Sequence, residues 1–141
     1  MSTKVRHLKP LTALIATFAL CLTGGMAFAS DLKLSGASEV PPVTTAASGT
    51  GTITVADDGS VSGSVKVTGV AATMAHIHVG SAGKNGPVII PLAQTAPGVW
   101  AVPAGAKLDT EQIKSYKAGD LYVNVHSEAN KGGEIRAQII P

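Results

Sequence analysis

The sequence predicts an all-β protein, a single antiparallel β-sandwich of Greek-key connectivity with one short helix. Short runs rich in Val, Ile and Thr recur between clusters of Gly, Pro, Asn and Asp. Along several runs apolar and polar residues alternate with the period of two that gives a strand one core face. Only one window carries helix signals at both of its ends.

Residues 1–29 read as a secretory signal peptide and residues 30–141 as the folded domain. Lys4, Arg6 and Lys9 form a basic start, "LTALIATFALCLTGG" is apolar but short for a stable span, and Ala27-Phe28-Ala29 is a small-residue cleavage signal before Ser30. A retained membrane anchor is the alternative. Lipid attachment at Cys21 is opposed by bulky Leu20 immediately before it.

The expected domain has 112 of the 141 residues, enough for one core. The leader carries three of the eleven basic residues and none of the nine acidic ones, so the net charge of +2 becomes −1 for the domain. That balance does not favour nucleic-acid binding. The single cysteine, Cys21, leaves with the leader, so the domain is held by packing alone.

Taken in order, "LKLSG" (32–36) is a first strand and "PPVTTAASG" (41–49) a loop, because paired prolines cannot donate to a ladder. "GTITVADDGSVSGSVKVTG" is a hairpin turning at Asp57-Asp58-Gly59. "MAHIHVG" (74–80) is a strand, "SAGKNGP" (81–87) a loop, and "VIIPL" and "GVWAVP" two further short strands. "LDTEQIKSYKAGD" (108–120) is the helix, with Asp109 as cap, Gln112 completing a capping box, Ile113 and Tyr116 on one side and Gly119 as terminator. "LYVNVHS" and "GEIRAQII" close the chain as a hairpin. Leu121, Val123 and Val125 oppose Tyr122, Asn124 and His126, and Ile135, Ala137 and Ile139 oppose Glu134, Arg136 and Gln138.

The chemistry-bearing residues are few. The expected domain has three histidines, His76, His78 and His126, and one methionine, Met74. In the strand, Met74, His76 and His78 share the face opposite Ala75, Ile77 and Val79, with the two histidine Cα atoms about 7 Å apart. Imidazoles at that spacing can lean toward one metal, and His126 on the polar face of another strand would complete a triangle. Three neutral imidazoles suit copper or zinc, and the thioether of Met74 as a further ligand would favour reduced copper. The competing readings are histidines that only hydrogen-bond to backbone or carboxylates, and a methionine that packs at the sheet margin.

Other chemistries lack their residues. There is no Gly-x-Ser-x-Gly elbow and no domain cysteine, and Asp57-Asp58 before a glycine reads as a solvated turn rather than a catalytic pair. "SAGKNG" lacks phosphate-loop spacing. Trp100, Tyr116 and Tyr122 are too few for a stacking platform and read as packing residues. Glu134 and Arg136 share a face and would either pair at the surface or leave Arg136 as a positive rim that draws anions toward the histidines.

The blocks "LSGASEVPPVTTAASGTGTITV", "AHIHVGSAGKNGPVIIPL" and "LDTEQIKSYKAGDLYVNVHSEANKGGEIRAQI" together resemble the CHRD domain, from about Leu32 to the C-terminus. The resemblance implies a secreted or periplasmic protein and leaves the biochemical role open. A fainter resemblance links "HIHVG", "GDLYVNVHSEAN" and "GGEIRAQII" to the copper half of copper/zinc superoxide dismutases, which are immunoglobulin-like sandwiches with copper on the outer sheet face. It implies copper held by His76, His78 and His126, with Arg136 a loose match to an anion-guiding arginine. The bridging histidine, the zinc-loop ligands and the structural disulfide of that family have no counterpart here.

These readings converge on a secreted or periplasmic protein that binds, buffers or transfers copper through His76, His78 and His126, with a metal ion and another envelope protein as partners and no membrane insertion after cleavage. One alternative is a non-enzymatic envelope interaction module with structural histidines. The other is a copper-dependent oxidoreductase acting on superoxide.

Overall fold

The computed structural model describes residues 25–141, so the part of the expected leader spanning residues 1–24 lies outside the described residues. Among the described residues nine strands form one antiparallel sheet: β1 (Ala27–Ser35), β2 (Ser48–Ala56), β3 (Val61–Thr68), β4 (Ala72–Val79), β5 (Val88–Pro91), β6 (Ala93–Ala96), β7 (Val99–Ala101), β8 (Leu121–Ser127) and β9 (Ile135–Ile139). A 3-10 turn (Gly36–Ser38) follows β1, and helix α1 (Thr110–Lys117) precedes β8. The spatial order is β5-β4-β8-β9-β1-β2-β3-β7-β6, and the sheet curls into a nearly closed, barrel-like sandwich. Its two halves join where β9 meets β1, through the single registered pair Ser35 and Arg136.

Alternation fixes which side each strand buries. Leu32 and Leu34 of β1, Ile53 and Val55 of β2, Val65 and Val67 of β3, Ile77 of β4, Trp100 of β7, Val123 and Val125 of β8, and Ile135 and Ile139 of β9 meet in one core. Each side chain removed from water there contributes about 1.5–3 kcal/mol before the entropy of ordering is subtracted. The inner faces require close backbone approach in places: a Cβ at Gly51 would run into the Ser64 carbonyl and lie 2.7 Å from Val65 Cα.

The expected elements are present, with three differences. β1 begins at Ala27 rather than Leu32, because Ala27, Phe28 and Ala29 pair with Ala56, Val55 and Thr54. β6 was not expected: all four of its residues are exposed, so it shows no apolar alternation, and it pairs only with β7. The polar faces of β8 and β9 were expected on the outer surface but are covered. All seven residues of β8 are buried, and so is Arg136. The covering layer is made by the segment after β1 and by loops 80–87 and 128–133. It is tied down by Asn85 Nδ2 donating to the Val40 carbonyl at 2.8 Å and by Thr45 Oγ1 donating to Glu134.

Helix α1 forms where its caps demand. Asp109 accepts from the Gln112 amide at 2.8 Å and Gln112 Oε1 accepts from the Asp109 amide at 3.0 Å, while Gly119 turns the chain out at φ +77°. Asp58 terminates the β2–β3 turn by accepting from the amide and hydroxyl of Ser60, so the Asp57-Asp58 pair is a turn feature.

Candidate metal centre

Register decides whether the three histidines can meet. β4 and β8 pair antiparallel, with Met74 opposite His126, His76 opposite Asn124 and His78 opposite Tyr122. All these side chains leave the sheet on the side away from the core, and His126 is the diagonal neighbour of His76. The ring centroids lie 4.8 Å apart for His76–His126, 5.6 Å for His76–His78 and 6.3 Å for His78–His126. One nitrogen from each ring falls within 4.8 Å of the other two. Metal–imidazole bonds of about 2 Å allow ligand nitrogens at most about 4 Å apart, so sub-ångström adjustments would suffice to close the triangle on an ion.

The neighbours set the tautomers. His78 Nδ1 lies 2.8 Å from the Gly86 carbonyl oxygen, and His126 Nδ1 lies 2.8 Å from that of Lys131. A carbonyl can only accept, so each Nδ1 carries the proton and each Nε2 offers its lone pair. His126 Nε2 faces His76 Nδ1 at 3.0 Å, which makes His76 the donor of that bond. His78 Nε2 is buried without any hydrogen-bond partner. Imidazoles anchored through Nδ1–H to backbone carbonyls are oriented as metal ligands commonly are.

The electrostatics disfavour the charged forms of His76 and His78. Burial first, then repulsion from His126 and His78, lowers the pKa of His76 below its usual value. Burial also lowers that of His78, outweighing the Gly86 hydrogen bond that favours its charged form, and His126 and Arg136 push the same way as burial. Neutral imidazole is the ligand form.

The walls explain the burial. His78 stacks on Tyr122 with centroids 4.7 Å apart and planes inclined by 8°. The Arg136 guanidinium lies 3.4 Å from the centroid of the same tyrosine ring. His76 is partly exposed and Met74 is 48% exposed, so this end of the centre faces solvent. Met74 stands opposite His126 in register.

Arg136 differs from expectation. It is not a surface rim residue: it is only 1% exposed, and its guanidinium donates to the carbonyls of Ser81 and Lys84 and to Asn85 Oδ1 at 2.9–3.3 Å. Nor does it pair with Glu134. That carboxylate accepts from Ser127, Thr45 and Asn130, and these hydrogen bonds hold its pKa below the usual range. Arg136 therefore ties loop 80–87, including the residues around Gly86, over the histidine face.

Two polar residues of the site were not singled out from the sequence. Asn124 is 3% exposed, lies between His76 and Arg136 in the strand registers, and has an unpartnered Oδ1. Glu39, from the segment after β1, is 4% exposed with an unpartnered Oε1, and burial raises its pKa to about 7 despite the opposing charge of Arg136. Asn124 could have been picked out by its alternation with His126; Glu39 sits far away in sequence with no spacing that links it to the histidines.

Neither the curated proteins nor the solved structures contain a match to this chain. The family model of the CHRD domain matches residues 31–139, from β1 through the last residue of β9. That match spans both strands that carry the histidines and nearly all of the described fold, and the chain belongs to the CHRD-domain family.

Proposed function

We propose that this protein is an extracytoplasmic metal-binding protein whose centre is His76, His78 and His126, and that copper is its ion. The observation that carries this reading is the convergence of three ring nitrogens, with the Nδ1 atoms of His78 and His126 already committed to backbone carbonyls. The orphaned His78 Nε2 is a buried acceptor that a bound cation would satisfy. An all-imidazole set suits copper or zinc, and the half-exposed thioether of Met74 at the open end favours copper in its reduced state. CHRD domains occur in extracellular and periplasmic proteins, and among the described residues no helix is long and apolar enough to cross a membrane. The role that fits is binding, buffering or handing on the ion.

Titration of the purified protein with Cu(I) and Cu(II) should give one equivalent bound. The double variant His76→Ala/His126→Ala should lose it while keeping its β-sheet circular dichroism. Stoichiometric binding that survives in the folded double variant would overturn the assignment.

A further inference from the structure

The outer face of β8 and β9 buries charge unevenly. Among the described residues its buried ionisable groups besides the histidines and Tyr122 are Arg136, Glu134 and Glu39. Glu134 is a fully engaged carboxylate, whereas Glu39 keeps one oxygen without a partner. A copper ion held by three neutral imidazoles would put one further positive charge as Cu(I), or two as Cu(II), near Arg136, with Glu134 the only settled negative charge below the surface among the described residues. Burying such an excess is costly unless another carboxylate balances it.

Glu39 is placed to do so. A Cβ built on Gly133 would fall 2.5 Å from Glu39 Oε1 and 2.7 Å from Asn124 Nδ2, so the carboxyl and the amide crowd the same glycine. Asn124 donates to the Gly132 carbonyl and stands opposite His76 in the β4–β8 register, and its Oδ1, like Glu39 Oε1 and His78 Nε2, is buried without a partner. The Asn124 side chain thus neighbours the carboxyl at Gly133 from a strand position registered with His76. Glu39 also lines two clefts, of about 480 Å³ and 360 Å³. The first is shared with Arg136 and Gln138, the second with Asn85 and Asn130.

From this juxtaposition we propose that Glu39 is the buried counter-charge of the histidine centre, a positioning residue that acts through Asn124 and gives up its proton to the adjacent clefts when an ion is bound. The proposal rests on the metal-binding reading above. The step balances: a cation enters, the carboxylic acid becomes a carboxylate, and one proton leaves to solvent. The charged groups that act on Glu39 are Arg136 of β9 and Glu134 just before it, and Asn124, which shares the space over Gly133 with it, is registered with His76. Lys84, Glu128 and Lys131 of the covering loops are exposed. Burial already holds the carboxyl at about pH 7, where a new nearby positive charge has most effect on its ionisation.

Calorimetric titration with Cu(II) in buffers of different ionisation enthalpy tests this in the full domain. At pH 7.0 the unmodified protein should release about half a proton more per ion than Glu39→Gln, and at pH 8.5, where Glu39 is already ionised, the difference should vanish. At pH 8.5 the variant should bind roughly 10-fold more weakly or worse. Infrared difference spectra of the unmodified protein supply a readout independent of any variant: the carboxylic-acid carbonyl band should disappear on loading. Equal proton release by the two proteins, or an unchanged carbonyl band, overturns the role of Glu39 and leaves the metal centre standing. Absence of Cu(II) binding in the unmodified protein overturns both.

Discussion

The protonation of His76 and His78 follows from where their side chains are buried. Both have folded pKa values below 6.5, because burial and neighbouring positive charge disfavour protonation. Around and below the unfolded value of 6.5 the unfolded chain therefore takes up more protons at these two positions. Their contribution to stability falls as pH drops through that window, and well above 6.5 both rings are neutral in either state and add no pH dependence. Proton NMR of the ring Cε1–H signals should show both histidines titrating below 6.5, and either one titrating above that value would contradict the arrangement. At this scale the sequence was informative about the histidines, because a short domain with three of them offered few other combinations. It was silent on Glu39 and Asn124, whose roles arise from which backbone comes to lie over them. It misplaced Arg136, since a polar residue at an alternating position looks the same whether solvent or a folded-back loop lies above it.

Among the elements, loop 80–87 does more than connect β4 to β5. Gly86 supplies the carbonyl that orients His78, and its amide donates to the Tyr122 hydroxyl oxygen at 3.1 Å. A Cβ there would run into the Val79 carbonyl. Gly86→Ala should therefore push the loop outward, release the His78 ring and weaken metal binding by about 10-fold or more, while α1 and the far half of the sheet keep their amide-exchange protection. Isothermal titration alongside hydrogen exchange checks this, and unchanged affinity would show that the carbonyl does not position the ring. The strands themselves were readable wherever one face is apolar, as in β3, β4, β8 and β9. The helix was readable from Asp109, Gln112 and Gly119. β6 was not, because a pairing that buries no side chain leaves no periodic trace.

For the molecule as a whole, the centre is joined to the strand at the heart of one sheet half. β8 contributes Val123 and Val125 to the core and His126 to the opposite face, so ordering at a bound ion would be transmitted to packing without any moving part. Ion binding to the folded state alone stabilises by linkage, about 2.7 kcal/mol when free ion is 100 times its dissociation constant. For a domain of this size the melting temperature should rise by roughly 10 °C. Scanning calorimetry with and without copper measures it, and an equal rise in His76→Ala/His126→Ala would mean that the ion acts elsewhere.

The sheet order leaves β5 and β6 as its two margins. Each has only four residues, and β5 ends in Pro91, which has no amide hydrogen to offer. A β-rich domain secured without disulfides therefore presents little free backbone on which a stray chain could add a strand, and so resists growth into fibrils even when crowded.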